Sequence, residues 1–242
     1  MPNRSARTLV TFLLDRTGSM EAVRDDTIGG FNTYLDTLQS EGGANIEFTL
    51  VQFDSMSIDK ICVAAPIAHV HKLNRDTYQP RASTPLIDAA YKIIAAVEAS
   101  LLTQPADKIV ICIQTDGHEN ASTEHNWNEL NALVKEKAAK GWQFNFMGVG
   151  IDAYDQGARM GIAAAATVAY DHRNAEATRA VFAASAENAR EYARGTRSTS
   201  VYCEKQKRAA GDLFAGLFSG KTKSETPEKP QLKKAIVDDI NL

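Results

Sequence analysis

The run Leu9 to Leu14 constrains this chain most, because it stops abruptly on Asp15-Arg16-Thr17-Gly18-Ser19 and a helical pattern follows. An apolar, β-branched run of that length, ended by a carboxylate, reads as a buried strand delivering polar side chains at its C-terminal end. Asp15, Thr17 and Ser19 stand at alternate positions, with Gly18 allowing a tight turn between them. All three carry oxygen donors, which suit a hard cation such as Mg²⁺ or Ca²⁺ and not a thiolate-type zinc site. On residue type alone they equally suit a strand-to-helix turn or an N-cap.

Two later stretches bear on that choice. Ser83-Thr84-Pro85-Leu86 opens a helix, and Thr115-Asp116-Gly117 follows a second apolar run, Ile109 to Ile113. The ordered set Asp15, Thr17, Ser19, Thr84 and Asp116 resembles the metal-ion-dependent adhesion site of von Willebrand factor A domains, Asp-x-Ser-x-Ser, then Thr, then Asp. Thr17 stands where the family usually has Ser, and the hydroxyl is retained. The resemblance spans residues 8–195. It implies that these five residues hold a divalent cation, Mg²⁺ with Ca²⁺ or Mn²⁺ as alternatives. In the family the hydroxyls usually bind the ion directly and one or both aspartates act through water. The cation then stays electrophilic, and a Glu or Asp from a partner protein completes its coordination. Family context adds adaptors that work beside AAA-type ATPases as a class of partner.

The pattern of elements agrees with an α/β domain. Strands are expected at 8–14, 45–53, 58–65, 108–114, 144–149 and 167–170, and helices at 21–39, 126–140, 154–160, 175–194 and from Pro85 to Leu101. The link between the second and third strands is too short for a crossover, which predicts a hairpin. The expected fold is therefore a doubly wound, Rossmann-like, mostly parallel sheet with one antiparallel edge strand and helices on both faces. In such a sheet the first and fourth strands flank the crevice where strand order reverses, so Asp15 and Asp116 can meet there.

Local expectations follow. Thr84 caps a helix whose first residue is Pro85, coordinates an ion, or does both in turn. Helix N-termini after Ser19 and Thr84 add favourable partial charge for an anion. Gly29-Gly30 lies inside a helix for close packing onto the sheet, Arg16 points into solvent, and His118, Glu119 and Asn120 line the rim, Glu119 as a solvated acid. His69 and His71 belong to a solvated face. Residues 1–7 read as a flexible lead and 196–242 as a linker and tail of low packing capacity, with Leu213, Phe214, Leu217 and Phe218 as a small apolar patch.

Composition narrows the function. A formal net charge of −3 argues against a nucleic-acid binder that relies on phosphate neutralisation. Cys62 and Cys112 lie in apolar runs and read as buried hydrophobes, and Cys203 makes the count odd, so a reducing compartment is expected. No stretch reaches the length of a membrane span, and the N-terminal apolar run lacks a cleavage site, so the expected location is cytoplasmic. Enzyme readings fit poorly. A haloacid-dehalogenase-type phosphatase needs a second acid where Thr17 stands, and a zincin needs a His where Ser122 stands. The expected function is a metal-dependent protein-binding adaptor, not an enzyme. A structural subunit of a larger particle and a metal-dependent phosphoesterase are the alternatives.

Overall fold

The computed structural model describes residues 6–40, 45–150 and 152–217. Six strands form one sheet: β1 (Thr8–Asp15), β2 (Ile46–Phe53), β3 (Ile58–Pro66), β4 (Lys108–Gln114), β5 (Gln143–Val149) and β6 (Thr167–Tyr170). Their spatial order is β3-β2-β1-β4-β5-β6, and only the β2–β3 pairing is antiparallel. The doubly wound sheet with an antiparallel edge is thus observed, and strand order reverses between β1 and β4. In register, Leu14 faces Gln52 on one side and Gln114 on the other, so the ends of β1 and β4 deliver Asp15 and Thr115-Asp116 to the same crevice.

The helices are α1 (Arg24–Gln39), α2 (Leu86–Leu101), α3 (Trp127–Ala139), α4 (Asp152–Met160), α5 (Ala175–Arg194) and α6 (Glu204–Ala209). Alternation along β1 divides the core: Val10, Phe12 and Leu14 pack with α1 and α5, whereas Leu9 and Leu13 pack with α2. Every residue of β1 is buried, as its apolar run requires. Phe12 stacks on Phe182 of α5 and meets Phe31 and Tyr34 of α1 edge-on.

The glycine pair in α1 serves a helix contact and not the sheet. A Cβ on Gly30 would lie 2.6 Å from the Phe182 ring, whereas one on Gly29 would meet nothing within 4 Å. The two positions therefore predict opposite results. Gly29→Ala should stabilise the protein by about 0.5–1 kcal/mol through helix propensity. Gly30→Ala should destabilise it by about 1–3 kcal/mol, because the ring is buried and overpacked. Urea denaturation of the two variants checks both signs.

Other local expectations also change. The chain after Ser19 is a short 3₁₀ turn, Gly18–Val23, before α1 begins. Cys112 is fully buried, its thiol pushed up to about 12 by burial, but Cys62 on the edge strand is only half-buried and Cys203 is exposed. His69 and His71 are exposed, in keeping with the solvated face expected for them.

Residues 200–215 do not behave as a low-packing tail. Ser200, Tyr202, Ala210 and Ala215 are buried. The Asp212 carboxylate accepts hydrogen bonds from Tyr154 Oη at 2.7 Å and from the Ala169 amide at 3.1 Å. The Lys207 ammonium donates to the Ala164 carbonyl at 2.6 Å and sits over the Tyr154 ring. The sequence signal was weak because this segment anchors through a few polar groups and single apolar residues, without a long periodic face. Phe214 packs against Tyr154, while Leu213 and Leu217 remain 89% and 70% exposed; Phe218 lies outside the described residues.

Candidate metal centre

At the end of β1, Asp15 is fully buried and turns the chain by accepting the Thr17 amide at 2.7 Å on one carboxylate oxygen. Its other oxygen accepts from the Thr115 hydroxyl at 2.5 Å, which ties the end of β1 to the end of β4. The Thr17 and Ser19 hydroxyls lie 3.3 Å apart, and Ser19 Oγ donates to Asp116 at 2.7 Å. Thr84 is buried beside them: a Cβ built on Gly117 would lie 3.2 Å from Thr84 Oγ1 and 3.6 Å from Ser19 Oγ. The five residues singled out from the sequence therefore gather around one small space that the hydrogen side of Gly117 leaves open. Ser19 and Asp116 form its accessible side, and Asp15, Thr17 and Thr84 its floor.

Electrostatics make this space unusual. Among the described residues, no basic side chain contacts Asp15. Burial raises its carboxyl to about 7, against partial relief from the Thr115 and Thr17 hydrogen bonds, and the neighbouring Asp116 charge pushes the same way. Asp116 is raised by burial too, although Ser19 and His172 oppose the shift. Two carboxylates and three hydroxyls, with no basic side chain among the described residues against Asp15, suit a hard cation, whose charge would relieve both desolvation costs. Among the described residues no three or more His, Cys, Asp or Glu side chains are grouped so as to hold a metal ion, so any ion here would depend on the hydroxyls beside the two carboxylates.

Thr84 is free of the capping role that the sequence allowed. The first helical residue of α2 is Leu86, Pro85 occupies the cap position, and no side chain at that position caps the helix. The loop after β4 does so instead. Glu119 accepts the Ile87 amide at 2.8 Å, and Ser122 Oγ accepts the Asp88 amide at 3.0 Å. In return Asp88 accepts the amides of Thr123 and His125, both at 2.8 Å. Glu119 is thus a structural brace, also holding the Ala121 and Ser122 amides, and not a solvated rim acid. Since a carboxylate already satisfies the start of α2, that helix end does not add the expected partial charge for an anion. Asn120 holds the Thr84 backbone from both sides, its side chain accepting the Thr84 amide and its own amide donating to the Thr84 carbonyl. His118 is exposed, 3.3 Å from Asp152.

Arg16 departs furthest from expectation. Instead of pointing into solvent it is buried against Asp54 at the end of β2, with Asp59 at 2.8 Å on the other side. Asp54 also accepts from Arg81 Nε at 2.9 Å and from the amides of Met56 and Ser57. Burial alone would raise the Asp54 carboxyl; the Arg81, Met56, Ser57 and Arg16 hydrogen bonds outweigh it and hold the carboxyl below the usual range. Backbone bonds complete this knot: the Arg81 amide donates to the Arg16 carbonyl, and the Gly18 amide to the Ala82 carbonyl. Ala82 sits in the left-handed region at φ 60°, a strained setting held by these contacts. Sequence reasoning missed Asp54, Arg81 and Thr115; for Asp54, the acid directly after the β2 run was the available signal.

No protein-family model matches the chain, and no curated protein matches it. Solved structures of similar fold include the pilus adhesin SpaC from Lactobacillus rhamnosus GG, at 14% identity and a TM-score of 0.55 over 79% of this chain and 31% of that one. They also include the manganese-loaded TRAP protein of Plasmodium vivax, at 13% identity and TM-score 0.42 over 61% of this chain and 59% of that one. The SpRpn10 VWA domain aligns at 8% identity and TM-score 0.43, over 66% of this chain and 85% of that one. The chain spans less than a third of SpaC. By fold, the chain is a doubly wound α/β domain with one antiparallel edge strand.

Proposed function

We propose that this chain is a protein-binding module that captures a partner's Asp or Glu carboxylate through a divalent cation. Mg²⁺ is the expected ion, with Ca²⁺ or Mn²⁺ as alternatives, and Asp15, Thr17, Ser19, Thr84 and Asp116 would hold it. The observation that carries the reading is the convergence of these oxygen donors around a buried Asp15 that has no basic partner among the described residues. Bound there, the cation would supply positive charge for an anionic ligand. The chain's own residues do the rest. Asp15 fixes the turn that aims Thr17, Thr115 locks Asp15, and Asp116 orients the Ser19 hydroxyl. The hydroxyls keep the donor set low in charge, which leaves an ion attractive to a further carboxylate. The resemblance adds an AAA-type ATPase as a candidate partner class and a cytoplasmic setting; no described helix is long and apolar enough to cross a membrane.

Calorimetric titration with Mg²⁺, Mn²⁺ and Ca²⁺ tests the ion, and co-purification in Mg²⁺ against EDTA tests the partner. Binding of one ion per chain, lost in Asp116→Ala together with a metal-dependent partner, is the expected result. Absence of any ion binding would sink the reading. Gly117→Ala gives a finer check. The added methyl would crowd Thr84 Oγ1 and Ser19 Oγ, so ion affinity should fall by about tenfold, ~1.4 kcal/mol.

A further inference from the structure

Beside the metal centre, at the C-terminal ends of β5 and β6, lies a cavity of about 490 Å³. Val149, Ala169, Leu213 and Phe214 make its walls apolar, and His172 and Arg173 stand on it as basic groups. Two hydrogen bonds tie it to the centre. The Thr115 amide donates to the Met147 carbonyl of β5 at 3.1 Å, and Gln114, the residue before Thr115, donates to Tyr170 Oη in the cavity lining at 2.7 Å. His172 is close enough to Asp116 for the two to interact electrostatically. The walls are held in place: Tyr170 is buried, and Asp212 braces the outer wall against Tyr154 and the Ala169 amide.

Charge and spacing decide what fits there. Arg173 is exposed and its side chain forms no ion pair among the described residues; the neighbouring Asp171 carboxylate accepts the Arg173 backbone amide at 3.0 Å. The mouth of the cavity thus sets positive charge beside an apolar hollow, on the same rim where the cation would hold a partner's carboxylate. Adjacent strands lie about 4.8 Å apart, so the centre between β1 and β4 and the cavity between β5 and β6 are separated by two spacings, roughly 10 Å. An extended peptide advances about 3.3 Å per residue and turns alternate side chains to one face. A residue two positions from the ligating carboxylate therefore shares its face, and a long side chain there covers the remaining distance. We propose that the cavity is a specificity subsite of the metal centre: it takes a large apolar side chain standing two positions from the ligating Asp or Glu in an extended, acidic segment of the partner, with Arg173 meeting a further acid of that segment. This inference rests on the cation reading above.

Titration of the full-length protein with fluorescent synthetic peptides tests it, in Mg²⁺ and in EDTA, with calorimetry of Mg²⁺ alone run alongside. The probes are short acidic peptides with a central Asp and a Leu two positions before or after it, and matched peptides with Ser in place of Leu. In Mg²⁺ a Leu peptide should bind about tenfold more tightly than its Ser match, the effect of a largely buried Leu side chain. Leu213→Asp, at an exposed position, should remove most of that preference, whereas Arg173→Gln should weaken Leu and Ser peptides alike. Both variants should bind Mg²⁺ as wild type does. Leu and Ser peptides that bind equally in Mg²⁺, or not at all at millimolar concentration, would overturn the subsite and leave the cation site standing. A Leu preference that persists undiminished in EDTA, or in Leu213→Asp, would overturn it as well, since the apolar contact would then be uncoupled from the centre or lie elsewhere. A concentration-dependent dimer that Leu213→Asp dissolves would also overturn it, because a second copy would then cover the cavity. If calorimetry detects no Mg²⁺ binding to wild type, the cation reading fails and takes this inference with it.

Discussion

Asp15→Asn is expected to abolish Mg²⁺-induced stabilisation while leaving the cation-free protein as stable as wild type, or slightly more stable. The two halves of this result have one cause. Asp15 is completely buried, its ordinary ionisation is opposed by desolvation, and no basic side chain among the described residues compensates it. An amide of the same shape keeps an acceptor for the Thr17 amide, and the Thr115 hydroxyl can rotate to accept from the new NH₂ while donating to the Gly117 carbonyl 3.3 Å away. The charge is lost, and with it the attraction for a divalent ion, by more than about 100-fold or ~2.7 kcal/mol. At a Mg²⁺ concentration of about 100 times the wild-type Kd, wild type gains about 2.7 kcal/mol that the variant does not. Melting curves should therefore place wild type well above the variant in Mg²⁺ and no higher than the variant in EDTA. A variant destabilised equally in both conditions would show Asp15 to be a fold determinant and no ion ligand.

Asp54→Ala should be the most damaging single substitution near the site, although Asp54 was not nominated as an ion ligand. Its side chain is fully inaccessible and it joins two guanidinium groups to the turn after β2. Removing it takes from the buried Arg16 its one inaccessible carboxylate partner and leaves it Asp59, 42% exposed on its side chain, whereas Arg81 is 44% exposed on its side chain and can recover water. Breaking one side of a buried ion pair costs about 3–5 kcal/mol, and the lower figure suits a network with one exposed member. For a domain of this size about 3 kcal/mol corresponds to a fall in Tm of roughly 6–12 °C. The pH dependence has a definite sign. Because the folded carboxyl is held below its ordinary value, its contribution is complete above about pH 4 and is lost as pH falls through the lower folded value. The gap between wild type and Asp54→Asn should thus be constant from neutral pH to about pH 5 and close in stronger acid. A gap that persisted unchanged to pH 2 would show that packing, and not charge, is what Asp54 supplies.

Much of this architecture could be read from residue patterns. The β1 and β4 runs are so apolar that only a sheet covered on both faces accommodates them, and the short Asp54–Ser57 connection dictates the hairpin. With strand order set by such a sheet, the meeting of Asp15 and Asp116 follows. What stayed hidden was reciprocal. Arg16 looked like a solvent-facing residue because its partner, Asp54, is 38 positions away and becomes its neighbour only through β1–β2 pairing. Thr84 looked like a cap because Thr-Pro is a strong local signal, yet Glu119 from another loop takes that role. The sheet-facing explanation of Gly30 failed similarly, since the Phe182 ring arrives from 152 positions further along. Local chemistry named the residues that matter, and tertiary pairing reassigned what several of them do.

The two sides of the sheet have a consequence for association. Strand β3, with register irregularities opposite Phe48 to Val51 and a left-handed Ala64 at φ 46°, is kinked as a template for another strand, although Ile61 and Val63 are exposed on it. On the opposite side, Asp212 takes the Ala169 amide and the Ala210 carbonyl takes the Asp171 amide, so residues 210–212 seal the outer rim of β6. The sheet is consequently terminated at both ends, by a bulge on one and by the chain's own later segment on the other. Copies of this protein cannot readily fuse their sheets into a continuous ribbon, and losing the 210–212 seal would convert a self-limiting domain into one with a sticky flank.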